Sequence, residues 1–412
     1  MKFDKLHLSA ELLHNLNANG YFRTTDIQFK AIPSIKNGED VLAIAQTGTG
    51  KTAAFAIPII DRLIKTKDSK RDLGIKCLIM VPTRELAQQI GEVFELLATD
   101  TKVKPYAVFG GVEMDPQIQK LQAGIDILIT TPGRLIDLIR KKFVSLDYIE
   151  TLVLDEADRM LELGFLADVE AIKRKLTHRH QTLFFSATID QQIKKLAYSQ
   201  VRSTAIRIQI SPDDPVSKNV THAVMFIEMD DKRFFLDEYL RQNAGGKFII
   251  FVRTRVRAER VAKAMARVNV ATLTLHGEKE QADRAEVMKA FRSGSCMIMI
   301  ATDVSARGID IPDVTHVINY DLPERPENYI HRIGRTGRGF NKGVAVSFCS
   351  EEEKPLLEQI QALLSKKIDV ISVSKSDYKM IAAQPELGIS LSLQELLDSA
   401  DEFEKKPRRK KK

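Results

Sequence analysis

Two consecutive α/β domains, each a parallel sheet flanked by helices, with a basic disordered tail after them, are the fold this sequence predicts. Three observations carry it. At 412 residues the chain is too long for one ordinary hydrophobic core. Short apolar runs alternate with helix-period stretches from about residue 40 to 350, the pattern of parallel α/β layers. One break without apolar periodicity, SPDDPVSKN at 211–219, holds two prolines and separates the runs into two sets.

The first set reads VLAIAQ, KCLIMVPT, KPYAVFGG, IDILITTP, TLVLDEAD, QTLFFSAT and AIRIQI. The second reads HAVMFIEM, KFIIFVRT, ATLTLHGE, MIMIATDV, THVINYD and GVAVSFCS. Several runs end in small, polar or charged residues, and the carboxyl ends of the strands are where an open α/β sheet exposes its functional edge. No short-period repeat relates the halves, so they are expected to be alike in architecture only. The expected divisions are a domain over 1–210, a linker over 211–219, a domain over 220–370 and an extension over 371–412.

The apolar share of 44% and charged share of 28% are those of a water-soluble globular chain. No run approaches eighteen apolar residues, and Asp4, His7 and Glu11 interrupt the N-terminus where a signal peptide needs an apolar stretch. A cytoplasmic protein with no membrane association is therefore expected. Cys77, Cys296 and Cys349 each stand in a β-type run and are read as buried strand cysteines; no Cys/His cluster has zinc spacing. The net charge of +7 resides in the last eight residues, KKPRRKKK, which hold seven Lys/Arg; residues 1–404 carry 55 basic and 55 acidic side chains. A nucleic-acid groove on the body must then come from local clustering of cations.

The sharpest local signal is AQTGTGKT, Ala45, Gln46, Thr47, Gly48, Thr49, Gly50, Lys51 and Thr52, between an apolar run and a helical one. Glycines at 48 and 50 allow a tight curl that turns successive N–H groups toward phosphate oxygens. Lys51 reaches the outer phosphates, Thr52 offers a hydroxyl to Mg²⁺, and the following helix N-terminus adds free N–H groups. Ala45 replaces the glycine that commonly opens such loops. The loop predicts a nucleotide site. LVLDEAD supplies its second half: Asp155 at a strand end suits a Mg²⁺ ligand, and Glu156 suits a group that orients or deprotonates the attacking water. Alone, DEAD also fits an acid-decorated helix N-terminus; the upstream loop favours the metal reading.

Residues 155–158 spell the name of a family, and the sequence resembles a DEAD-box RNA helicase from about Phe3 to residue 350. In chain order it shows GYFRTTDIQ (20–28), AQTGTGKT, PTRELA (82–87), Gly110-Gly111, TPGR (131–134), DEAD and SAT (186–188). FIIFVRT (248–254), QADR (281–284), ATDVSARGID (301–310) and HRIGRTGR (331–338) follow. DEADRMLELGF, the compact core and the basic tail resemble the bacterial RhlE-like branch. The resemblance implies two tandem RecA-like domains, ATP and Mg²⁺ as cofactors, and RNA-stimulated ATP hydrolysis coupled to unwinding of short duplexes.

Residue by residue, the resemblance implies that Gln28 pairs with adenine, Thr25 supports it and Phe3, seventeen residues before Gly20, stacks on the base. Read alone, Phe3 fits a solvent-facing or core aromatic better than a base-stacking one. Thr24 stands where the family has proline. Ser186 and Thr188 would couple the nucleotide site to RNA, although the same hydroxyls also fit a helix N-cap. His331, Arg335 and Arg338 lie at i, i+4 and i+7, so a helical segment would put them on one side, with Gly334 and Gly337 leaving room for phosphate. Arg335 and Arg338 would stabilise charge on the γ-phosphate and His331 would help position water. In the family reading Asp310, beside Gly308, contacts nucleotide and Thr302 contacts RNA. Because these groups lie in the second half and the phosphate loop in the first, hydrolysis requires the halves to close.

Thr83, Arg84, Gly111, Thr131 and Arg134 in the first half, with Arg253, Arg284 and Thr302 in the second, are expected to grip the RNA sugar-phosphate backbone. Such contacts are largely sequence-independent, and a 2′-OH would distinguish RNA from DNA. An ATP-dependent RNA clamp and a DNA translocase share the core and stand as alternatives. A monomer is expected, with ribonucleoprotein or RNA-decay machinery as partner classes. The tail adds non-specific phosphate affinity or is a solvated end without a role. On the first reading, deleting residues 405–412 weakens RNA binding most at low salt and leaves ATP turnover at saturating RNA nearly intact. Unchanged binding in a low-salt titration would refute it.

Overall fold

The computed structural model describes residues 1–45, 48–67, 74–188, 191–210, 216–303, 311–337 and 341–374, together with 376, 378 and 381. Gln46, Thr47, Arg307, Gly308, Asp310, Arg338 and the basic tail lie outside the described residues.

The first seven strands are β1 (Val41–Ala45), β2 (Cys77–Met80), β3 (Pro105–Val108), β4 (Ile127–Thr130), β5 (Thr151–Leu154), β6 (Gln181–Ser186) and β7 (Ile206–Ile210). They form one sheet in the order β3-β4-β2-β5-β6-β1-β7, every pair parallel. The next seven are β8 (Val220–Phe226), β9 (Phe248–Phe251), β10 (Leu273–Leu275), β11 (Ile298–Ala301), β12 (His316–Asn319), β13 (Gly343–Cys349) and β14 (Asp369–Val370). They form a second parallel sheet, β10-β11-β9-β12-β13-β8-β14. Adding seven to each strand of the first order gives the second, so one topology occurs twice.

Alternation within the strands explains the layering. In the first sheet Ala43, Ile79, Ile129, Val153 and Phe185 enter one apolar cluster, while Leu42, Leu78, Leu128, Leu152 and Phe184 enter another on the opposite face. The second sheet divides likewise, with Ile249, Met299 and Val317 on one face and Ile250, Ile300 and Ile318 on the other. Strands buried on both faces need helices on both, and their near-continuous apolar sequences follow.

All the predicted strand runs are strands. The two-residue β14 was not among them, because it is an exposed edge with no apolar alternation to detect. The second core also reaches beyond the expected divisions. Val216 is buried in it. Past residue 370, the Tyr378 ring stands 4.9 Å from Phe235, and its hydroxyl donates to Asp231 Oδ2 at 2.8 Å. Cys77 and Cys349 are buried in strands as expected, whereas half-exposed Cys296 precedes β11. Among the described residues no helix is long and apolar enough to cross a membrane.

Gly337 shows how tightly the second domain is closed. It has φ +67, and a Cβ there would lie 2.4 Å from Val220 Cγ2 and 3.1 Å from the Asn219 carbonyl. The glycine predicted to leave room for phosphate is thus required by packing against β8. Gly337→Ala should cost about 1–3 kcal/mol through the left-handed backbone and the overlap. At about 2–4 °C per kcal/mol for a domain of this size, a thermal melt should show the loss.

Candidate active site

The parallel sheet delivers the loops after β1, β2, β4, β5 and β6 to one edge, and a cavity of about 250 Å³ opens there. Lys51, Thr52, Asp155 and Glu156 line it from the first domain and Arg335 from the second. Gly50, at φ +90, opens the helix Lys51–Thr66, so the loop turns directly into a helix N-terminus. Lys51 Nζ donates to the Ala45 carbonyl at 2.8 Å. Ala45, itself buried at the end of β1, therefore holds the lysine head by its backbone.

Gln28 is the third residue of the helix Asp26–Lys36 and closes a capping box with Thr25. Its Oε1 accepts from the Thr25 N–H at 3.0 Å and its Nε2 donates to the Gly50 carbonyl at 3.2 Å. A Cβ on Gly50 would stand 2.5 Å from that Nε2, so this contact requires glycine. Gln28 is thereby fastened to the phosphate loop, while its second amide hydrogen and second oxygen lone pair remain for a ligand. Phe3 is different. Its ring is 2% exposed within the apolar core, packed too deeply to lie on a base. Tyr21, which the sequence reading did not single out, lines the cavity instead; its one signal was its place directly after Gly20.

Asp155 is buried, and burial pushes its carboxyl up to about 7, with Lys51 opposing and Glu156 reinforcing the rise. A carboxylate under such pressure fits a cation neighbour. With the Thr52 hydroxyl beside it in the cavity wall, the donor set matches Mg²⁺, which binds through one or two carboxylates plus substrate phosphates and water. Among the described residues there is no three-carboxylate cage that would suggest another metal mode. Glu156 follows in a left-handed conformation, φ 50, and lies in the cavity wall beside Asp155.

Asp158, also missed, joins this strand end to the next. Its Oδ2 accepts from the Ala187 N–H at 3.1 Å, the Thr188 N–H at 3.1 Å and Thr188 Oγ1 at 3.2 Å. Ser186 Oγ donates to the Thr188 carbonyl at 2.9 Å. The helix Gln191–Gln200 follows, with residues 189 and 190 between them outside the described residues. On the second domain the helix Pro326–Ile333 stops at Gly334, short of the continuous helix that the i, i+4, i+7 spacing suggested. Arg335 still reaches the wall because its Nε donates back to the His331 carbonyl at 3.0 Å. A second, water-sized cavity of about 10 Å³ has His331 and Arg335 on one side and Glu156 on the other.

The expected RNA residues divide into open and committed groups. Thr83 caps the helix Arg84–Leu97, accepting from the Leu86 N–H at 3.4 Å, and Thr131 precedes the helix Pro132–Arg140. Gly111, at φ +80, lies under the Arg84 guanidinium. Arg134 is buried, donating to Gln117 Oε1 and the Val112 carbonyl, both at 3.2 Å, so it braces the glycine loop. Arg284 is likewise committed. It pairs with Glu85 of the first domain, Nε to Oε1 at 2.7 Å, and donates to the His276 carbonyl at 3.0 Å. Arg253 is partly exposed with Nη2 on Glu353 Oε1 at 3.2 Å, and Thr302 is buried.

A phosphate loop, a strand-end carboxylate pair and an arginine from a second sheet of the same topology define a P-loop nucleotide hydrolase whose site is completed between two domains. Residues 25–196 match the DEAD/DEAH box helicase family and residues 231–339 the helicase conserved C-terminal domain. The DEAD-box ATP-dependent RNA helicase CshA of Bacillus cereus is 37% identical over 369 residues, covering 89% of this chain and 69% of that protein. The ATP-dependent RNA helicase RhlB of Shewanella frigidimarina is 37% identical over 378 residues, 91% of this chain and 87% of that protein. Dbp5 of S. cerevisiae, solved bound to RNA and ADP BeF3, superposes with a TM-score of 0.82 at 32% identity, over 92% of this chain and 97% of the solved Dbp5 chain. The chain belongs to the DEAD-box helicases, and its two sheets are the tandem RecA-like domains of that family.

Asp155 gives a test of the site in the absence of ligand. Its carboxyl holds its proton more tightly in the folded chain than in the unfolded one, so folding stability falls as pH rises from about 4 to 7. Asp155→Asn should therefore raise the melting temperature of the metal-free protein at pH 8 and leave it nearly unchanged at pH 4. Equal melting of the two proteins at pH 8 would contradict the assignment.

Proposed function

We propose that the chain hydrolyses ATP in the cavity between its domains and uses the closure to remodel short RNA duplexes and RNA–protein complexes. The observation that carries this reading is the cavity of about 250 Å³ walled by Lys51, Asp155 and Glu156 of one domain and Arg335 of the other. Tyr21 takes the base-stacking place first expected for Phe3, with Gln28 on the adenine edge. The Thr52 hydroxyl and the Asp155 carboxylate would hold Mg²⁺, which supplies charge neutralisation on the phosphates when bound.

Glu156 orients the attacking water and accepts its proton as the new P–O bond forms, while the bond to ADP breaks and its electron pair stays on the ADP oxygen. Lys51, Arg335 and the expected Arg338 stabilise charge on the transferred phosphoryl group. Asp158, tied to Ala187 and Thr188, is suited to carry movement at the nucleotide site to the SAT turn. RNA is gripped along its backbone by Thr83, Arg84, Gly111, Thr131 and Arg253, so recognition is largely independent of sequence. Arg134 and Arg284 act by bracing that surface and the domain contact. An RhlE-like branch, supported by DEADRMLELGF and the basic tail, and a cytoplasmic, monomeric protein complete the reading.

Glu156→Gln and Arg335→Gln should each lower kcat for RNA-stimulated ATP hydrolysis by about 100-fold or more. Binding of a fluorescent ATP analogue should stay within about threefold for Glu156→Gln, since the lost interaction belongs to the transition state. Wild-type turnover in either variant would overturn the assignment.

A further inference from the structure

The repeated topology allows one comparison that isolates a surface. The helix Arg84–Leu97 follows β2, and the helix Arg255–Arg267 follows β9, which holds in the second sheet the place β2 holds in the first. The first helix carries one cation and three acids, whereas the second carries five cations and one acid. Architecture therefore does not demand the basic charge. Helix stability does not demand it either, since cations in the first turn oppose the macrodipole; only Arg267, in the last turn, is favoured by it.

Two of the five cations and the lone acid are occupied. Arg255 pairs with Glu278, Arg257 with Asp321 at 3.2 Å, and Glu259 turns to His276 at 3.1 Å. Arg260, Lys263 and Arg267 are exposed and have no ion pair among the described residues. They stand at i, i+3 and i+7 on the face opposite the buried Ala258, Val261 and Met265. Their separations along the axis, about 4.5 and 6 Å, are of the order of the spacing of consecutive phosphates on a strand. The stripe begins about two turns beyond Arg253 and Thr254, which stand at the end of the helix that meets the expected RNA groove.

We propose that Arg260, Lys263 and Arg267 form an auxiliary RNA track, taking the phosphates of a strand that leaves the groove at Arg253 and runs along the flank of the second domain. The inference rests on the RNA reading above. Continuity with Arg253 and the regular cation ladder favour a phosphate backbone over an acidic protein, and the local charge is notable in a body whose basic and acidic residues are equal in number.

The test uses the full chain with a non-hydrolysable ATP analogue, and measures binding of oligouridylates of about 8 and about 25 nucleotides across a salt series. In the triple variant Arg260→Gln/Lys263→Gln/Arg267→Gln, affinity for the longer RNA should fall about tenfold at low salt. Its log–log salt slope should become shallower by about 2, three cations each contributing about 0.7 on single strands. Affinity for the shorter RNA should hold. An equal charge removal away from the stripe, Arg140→Gln/Lys141→Gln/Lys142→Gln, should leave both RNAs unaffected. Unchanged binding of the longer RNA by the stripe variant, equal losses for both lengths, or an equal loss in the control variant would overturn the track. Failure of the unaltered protein to bind either RNA would instead refute the RNA reading itself.

Discussion

A parallel sheet gathers the carboxyl ends of its strands along one edge, and every functional loop of this protein depends on that constraint. Lys51 follows β1, Asp155 and Glu156 follow β5, and Ser186 closes β6. The order β5-β6-β1 makes these three strand ends neighbours although they are far apart in sequence. Asp158 converts the adjacency into a fixed link by accepting three hydrogen bonds from the next turn. Arg335, carried on a second sheet of the same topology, completes the wall.

The duplicated topology holds different chemistry in its two copies. Lys51 opens the helix after β1 and faces the cavity. Lys232 opens the helix after β8, in the matching place, and is fully buried, its Nζ on Glu353 Oε2 at 2.5 Å and the Tyr320 carbonyl at 2.7 Å. A buried ammonium must be paired and hydrogen-bonded to persist, and Glu353 meets that need while also holding Arg253 and the Leu322 N–H. One copy thus leaves its lysine at the wall of a cavity, and the other spends it on an internal cluster that orients an arginine toward the surface. The two domains meet through Glu85 and Arg284, a pair almost removed from solvent on both sides.

The contiguous motifs were legible because each lies within one strand–loop–helix unit, where local spacing fixes which groups share an edge. The described residues of AQTGTGKT, with DEAD and SAT, all came to the same edge of the first sheet. Isolated residues were less legible. The spacing of Phe3 from Gly20 does not state whether an aromatic packs inward, and here it does, leaving Tyr21 at the cavity. Arginines were hardest to assign, because a guanidinium is defined by its partners: Arg134 is spent on Gln117 and Val112, Arg284 on Glu85, and Arg332 on Asp303, with Nε to Oδ1 at 2.6 Å.

The sequence by itself determined the two-domain α/β class, the strands, the phosphate loop and the family, since these follow from periodicity and from motifs read along one stretch of chain. Only the tertiary structure decided which side chains complete the site and which are consumed in holding it. It repeated the sheet order in both halves, brought Arg335 to Glu156, closed Arg284 on Glu85 and left the Arg260 stripe without an ion pair among the described residues. Those outcomes depend on pairings between residues as many as 199 positions apart, and periodicity along the chain does not encode them.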